Sequence, residues 1–123
     1  MKKLLLITAL ALSAITYPPV QAKVCTFCKS DDFNKLISTN PKVIVDFYAP
    51  WCGPCKRLLP VVEELGNEMN DVLFIKINCD DFPSFGIQSF PTLVAYKNGK
   101  KVTSSPGYKS KTALKSWVNS VLS

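Results

Sequence analysis

The densest apolar stretch in the interior of the chain is Val43-Ile44-Val45-Asp46-Phe47-Tyr48-Ala49. A run this rich in β-branched and aromatic residues predicts a strand, from Lys42 to Ala49, covered on both faces in the middle of a sheet. Val72 to Asn78 repeats the pattern and predicts a second buried strand. Between them Leu58, Leu59, Val62, Leu65 and Met69 recur at helical spacing, so Cys52 to about Met69 reads as an amphipathic helix. Pro60 falls inside it, removes a backbone donor and crowds the Lys56 carbonyl, and a kink is expected there. Val24 to Cys28 is a short candidate strand. Ser30 is a candidate cap for a helix from Asp31 to about Ser38, which Asn40-Pro41 ends. Phe82 to Phe85 reads as a helical turn. Thr92–Lys97 and Lys101–Ser105 read as strands joined by Asn98-Gly99, a strong two-residue hairpin signal. Ser110 to Leu122 closes the chain as a helix with Leu114, Trp117, Val118 and Val121 on one side. The order β-α-β-α-β-α-β-β-α predicts an α/β domain, a central mixed sheet with helices on both faces.

The first 22 residues follow a different pattern. Met1-Lys2-Lys3 is positive, Leu4 to Ile15 is apolar but for Thr8 and Ser13, and Tyr17-Pro18-Pro19 stops any helix before Val20-Gln21-Ala22. That order predicts a secretory signal peptide cleaved after Ala22, with a domain from residue 23 to 123. The apolar run is shorter than the roughly 20 residues a span needs. An uncleaved anchor is the weaker alternative. Lipidation of Cys25 is weaker still, because Lys23-Val24 fits such a site poorly. The expected location is therefore the periplasm or outside the cell, with no stable membrane insertion after cleavage. The 15 basic residues fall to 13 once Lys2 and Lys3 are removed, against nine acids, so the net charge drops from +6 to +4. The lysines are scattered, which serves solubility and weak attraction to acidic partners and argues against nucleic-acid binding.

Five cysteines and no histidine set the available chemistry. Export favours disulfides, an odd count leaves at least one thiol unpaired within the chain, and Cys–His hydrolysis and His-based metal sites are excluded. Trp51-Cys52-Gly53-Pro54-Cys55-Lys56 follows a buried strand and opens a helix. Two cysteines so spaced in a first turn come within bridging distance. The first lies where free N–H groups and the helix dipole stabilise a thiolate, the attacking species in disulfide exchange. Gly53 admits a substrate backbone, and Pro54 is tolerated in a first turn and stiffens it. With Cys25-Thr26-Phe27-Cys28 the motif superficially resembles a four-cysteine zinc or iron–sulfur site, but a helix and the most buried strand separate the pairs. A purely structural bridge would not account for the placement at a helix start.

WCGPCK resembles the active site of the thioredoxin family, and separated positions extend the likeness across nearly all of residues 23 to 123. Asp46 matches the family's buried aspartate, Lys76 a lysine facing it, Phe90-Pro91-Thr92 the cis-proline loop, Pro60 the helix-kinking proline and Gly107 a glycine beside the substrate groove. The resemblance implies a thioredoxin fold and a protein-disulfide reductase. Cys52 would be the nucleophile, Cys55 the resolving thiol, and Asp46 the acceptor of the Cys55 proton, with Lys76 as its expected partner. Trp51, Gly53, Pro54, Phe90, Pro91 and Gly107 would form the docking surface. Tyr48 stands where many members carry tryptophan, and Asp80 is a candidate acceptor for the Trp51 indole. No cofactor or metal is expected. Partners would be protein disulfides and a membrane-borne or soluble thiol electron donor, acting on a monomer.

Gly-Pro between the cysteines resembles reducing members; oxidases and isomerases of this superfamily often place a histidine there. The reductase therefore leads over an oxidase or isomerase, a thiol reductase of cytochrome c maturation, and a non-enzymatic binding module on the same fold. Cys25, Cys28 and Cys79 depart from the family pattern. If Val24 to Cys28 is extended, the Cys25 and Cys28 Cα atoms stand about 10 Å apart, beyond disulfide reach. Separate thiols or a labile bridge are expected there, with a second redox pair as the alternative, and Cys79 is expected to act as a small core residue.

Overall fold

The computed structural model describes residues 24–123; the expected signal peptide lies outside the described residues. Five strands form one mixed sheet in the order β1-β3-β2-β4-β5, with β1 at Val24–Thr26, β2 at Lys42–Tyr48, β3 at Leu73–Asn78, β4 at Thr92–Lys97 and β5 at Lys100–Pro106. β3 runs parallel to β1 and β2, while β4 runs antiparallel to β2 and β5. The helices are α1 (Phe33–Thr39), α2 (Gly53–Glu68) and α3 (Lys111–Leu122), with a 3₁₀ turn at Pro83–Phe85. The β4–β5 hairpin turns at Asn98 (φ 53°) and Gly99 (φ 83°), the paired left-handed conformations that Asn-Gly favours.

The sheet is buried on both sides, as the run at residues 43 to 49 requires. One face packs Ile44, Phe74, Leu93 and Ala95 against Leu58, Val62 and Leu65 of α2 and Leu114, Val118 and Leu122 of α3. The other packs Val43, Val45, Phe47, Ile75, Ile77 and Val94 under Ile37 and an aromatic group that includes Phe27, Phe33, Phe82 and Phe85. Fully burying each large side chain stabilises the fold by about 1.5–3 kcal/mol. Alternation along β2 sends Asp46 to the same face as Ile44, under α2.

Two boundaries differ from expectation. α1 is capped by Asp32, whose carboxylate accepts the Lys35 N–H at 3.2 Å, and not by Ser30. Asp31 is turned back to accept the Cys28 N–H at 2.7 Å, so neither acid lies in the helix's first turn. β1 ends at Thr26 rather than Cys28, although Phe27 still donates its N–H to the Lys76 carbonyl at 2.9 Å. Pro60 sits inside α2, which runs unbroken through it. Among the described residues no helix is long and apolar enough to cross a membrane.

Candidate active site

β2 ends and α2 begins across Ala49-Pro50-Trp51-Cys52, where the Ala49 carbonyl accepts the Cys52 N–H at 3.2 Å and turns the chain. Cys52 is the N-cap of α2, in extended conformation, and its sulfur accepts the Cys55 N–H at 3.2 Å. A disulfide joins Cys52 and Cys55, with Cα atoms 5.2 Å apart. The Cys52 sulfur therefore lies on the free N–H groups of a 16-residue helix, where the partial positive charge favours a thiolate once the bridge is reduced. The bridged Cys52 is only 6% exposed and Cys55 is fully buried. Cys52 is covered because its sulfur folds onto the first turn and lies 3.4 Å from the Phe90 carbonyl oxygen. Trp51, Gly53 and Pro54 around it are exposed.

The loop before β4 supplies the facing wall. The Phe90–Pro91 peptide is cis, Pro91 is buried, and the Pro91 carbonyl accepts the Gly107 N–H at 2.8 Å. Gly107 holds a φ of 89°, which other residues rarely adopt. Trp51, 67% exposed, meets Phe90 edge-on at 5.7 Å and donates its indole N–H to Asp80 at 3.3 Å. Asp80 is itself fixed, its N–H donated to the Asn78 side-chain oxygen at 2.9 Å. Tyr48 is half-buried and packs with Ala49, Cys52 and Cys55.

Asp46 is 1% exposed, and neither carboxylate oxygen has a hydrogen-bond partner. Burial pushes its pKa up from 3.8 to about 7, while the Lys76 ammonium pulls the other way. Lys76 is the register neighbour of Asp46 across β2 and β3, yet it does not hydrogen-bond to it. Its ammonium goes instead to the half-exposed Glu63 carboxylate of α2 at 3.0 Å. Sequence reading missed Glu63; its one signal is that it flanks the apolar stripe of α2 beside Val62. It also missed Arg57, whose guanidinium stacks 5.3 Å from the centre of the Tyr108 ring.

Cys25, Cys28 and Cys79 are free thiols. Cys79 is buried at the end of β3, and burial pushes its thiol up to about 11, with Asp46 and Asp80 adding to the rise. Burial also raises the Cys25 thiol, Asp31 next and Cys28 after it, against a lowering by Lys76. Cys28 is exposed on the turn after β1, its sulfur 3.1 Å from the Ser30 hydroxyl.

Residues 22 to 120 match the family model described as thioredoxin. The chain belongs to the thioredoxin family. It is similar to the thioredoxin of Chlamydia caviae, 44% identical over 94 residues that cover 73% of this chain and 91% of the relative. Against the thioredoxin of Bacillus subtilis the identity is 48% over 82 residues, covering 63% and 79%. The oxidised thioredoxin of Plasmodium falciparum superposes with a TM-score of 0.70 at 36% identity, covering 81% of this chain and 99% of that one. The mixed sheet with three helices is thus the thioredoxin fold, and the bridged Cys-x-x-Cys pair on α2 makes this family member a disulfide oxidoreductase.

Proposed function

We propose that the protein is an exported reductant of protein disulfides, cleaved after Ala22 and working as a monomer in the periplasm or outside the cell. The observation that carries the reading is the Cys52–Cys55 bridge on the first turn of α2, beside the Phe90–Pro91 loop, in a fold that also buries the partnerless Asp46 carboxyl on the sheet face α2 covers. The positive Met1-Lys2-Lys3 start and the apolar run after it support export.

In the reduced protein the Cys52 thiolate attacks one sulfur of a substrate disulfide. The other substrate sulfur leaves as a thiolate and takes a proton from water, and a mixed disulfide remains. Cys55 gives its proton to Asp46 and attacks the Cys52 sulfur, so the second substrate thiolate leaves. The substrate gains two electrons and the protein ends in the bridged state described above. A carboxyl with a pKa of about 7 suits this proton transfer near neutral pH. Lys76, held by Glu63, acts on Asp46 through its charge alone. Trp51, Gly53, Pro54, Phe90, Pro91 and Gly107 form the docking surface for the substrate chain. A membrane-borne or soluble thiol donor re-reduces the pair, since no net reduction can continue without one.

Two measurements test this. Reduction of insulin should be lost in Cys52→Ser, and unchanged reduction by that variant would remove the catalytic role. Equilibration with glutathione should give a Cys52–Cys55 potential near about −270 mV; a value near about −120 mV would make the protein an oxidant instead.

A further inference from the structure

The rim of the site is charged unequally at its two ends. At the Trp51 end stand Asp80, bonded to the indole, and Asp81, both exposed. At the other end stand Arg57 and Tyr108, joined to the cis-proline loop because Gly107, next to Tyr108, is bonded to the Pro91 carbonyl. Lys109, next to Tyr108 in sequence, has its ammonium turned away over the Trp117 ring at 5.7 Å, so Arg57 is the cation held against Tyr108. Arg57 is exposed, and among the described residues it has neither a carboxylate partner nor a side-chain hydrogen bond. Its guanidinium is instead held against the Tyr108 ring, which is 43% exposed. A guanidinium stacked on an aromatic face is oriented without using up its N–H edge, and that planar fork matches a carboxylate.

We propose that Arg57 and Tyr108 form a specificity subsite for a carboxylate side chain on the polypeptide that docks over Cys52. The substrate class is then disulfides flanked by an acidic residue on the side facing Tyr108. This rests on the reductase reading. Tyr108 contributes apolar contact and fixes the arginine, and Asp80 and Asp81 disfavour an acid at the opposite end, which sets the direction in which the substrate chain lies.

The test compares disulfide-bridged peptides of one sequence, with Glu, Gln or Lys two residues before or after the reactive cysteine, in stopped-flow reduction by the reduced protein. At one of the two positions Glu should react about 3- to 10-fold faster than Lys at low salt, the range expected of an exposed charge pair exchanged for a repulsive one. Arg57→Glu should invert that ratio, Tyr108→Ala should shrink it, and about 0.5 M salt should shrink it in the wild type. Both residues are exposed, and thermal unfolding of each variant checks that it is folded. A ratio within about twofold of unity at both positions, or one that survives Arg57→Glu, overturns the subsite. Failure to reduce any peptide, the Gln forms included, instead overturns the reductase reading and the subsite with it.

Discussion

Replacing Asp46 by Asn should make the protein more stable, and increasingly so as the pH rises. The carboxyl is 1% exposed with no hydrogen-bond partner, so its charged form is disfavoured in the folded chain. Its pKa is about 7 folded, against an ordinary value of 3.8. Below about pH 4 the group is protonated in both states and contributes nothing. Between there and pH 7 the unfolded chain has lost the proton that the folded chain keeps, so stability falls with rising pH. Above pH 7 the cost is complete; at about 1.4 kcal/mol per pKa unit the rise from 3.8 to about 7 is worth about 4 kcal/mol. That is a large share of the roughly 5–15 kcal/mol that holds a domain together. The assay is urea unfolding of the bridged proteins at pH 4, 5.5, 7 and 8.5, followed by Trp51 and Trp117 fluorescence. The advantage of Asp46→Asn over wild type should grow by about 4 kcal/mol from pH 4 to pH 8.5 and level off. Because the Lys76 ammonium lowers the Asp46 pKa, Lys76→Met should carry the wild-type decline to higher pH. Stability curves for wild type and Asp46→Asn that stay parallel across this range would refute the burial argument.

Maleimide labelling of the bridged protein at pH 8 should modify Cys28 first, Cys25 more slowly and Cys79 last, since Cys28 is exposed and Cys79 is buried with a thiol pushed up to about 11; mass mapping that finds Cys79 labelled ahead of Cys28 would contradict this order. Gly99→Ala should destabilise the fold by about 1–2 kcal/mol, because Gly99 holds a φ of 83° in the β4–β5 turn; unchanged thermal unfolding would count against the left-handed turn.

What the sequence disclosed follows from how local each signal is. The β2 strand and the Asn98-Gly99 turn were legible because a covered strand needs an unbroken apolar run and a tight hairpin needs two left-handed residues. The start of α1 was not: Ser30, Asp31 and Asp32 are three adjacent capping residues, and only the turn that uses Asp31 to hold Cys28 leaves the cap to Asp32. At the site the cysteines and the cis-proline loop carry their own pattern, but the partner of Lys76 is set by how α2 lies across β3. Glu63 and Lys76 are 13 residues apart, and no periodicity links them. Arg57 and Tyr108 likewise meet only when the start of α2 and the segment after β5 are folded together.

The ladder bond from Phe27 to Lys76 reaches beyond sheet architecture. Phe27 lies between Cys25 and Cys28 in sequence, and its ring is packed edge-on against Phe33, Phe82 and Phe85. While that residue stays docked, its N–H and its ring hold the segment between the two thiols on the edge of the sheet, Cys25 in the strand and Cys28 on the turn that follows. With the strand attached in this way, Cys25 and Cys28 stand as two free thiols, one half-buried and one exposed. The order in which the thiols meet an oxidant is thereby set by the aromatic packing around Phe27, which leaves Cys28 outermost, and the bridged couple is the pair on α2.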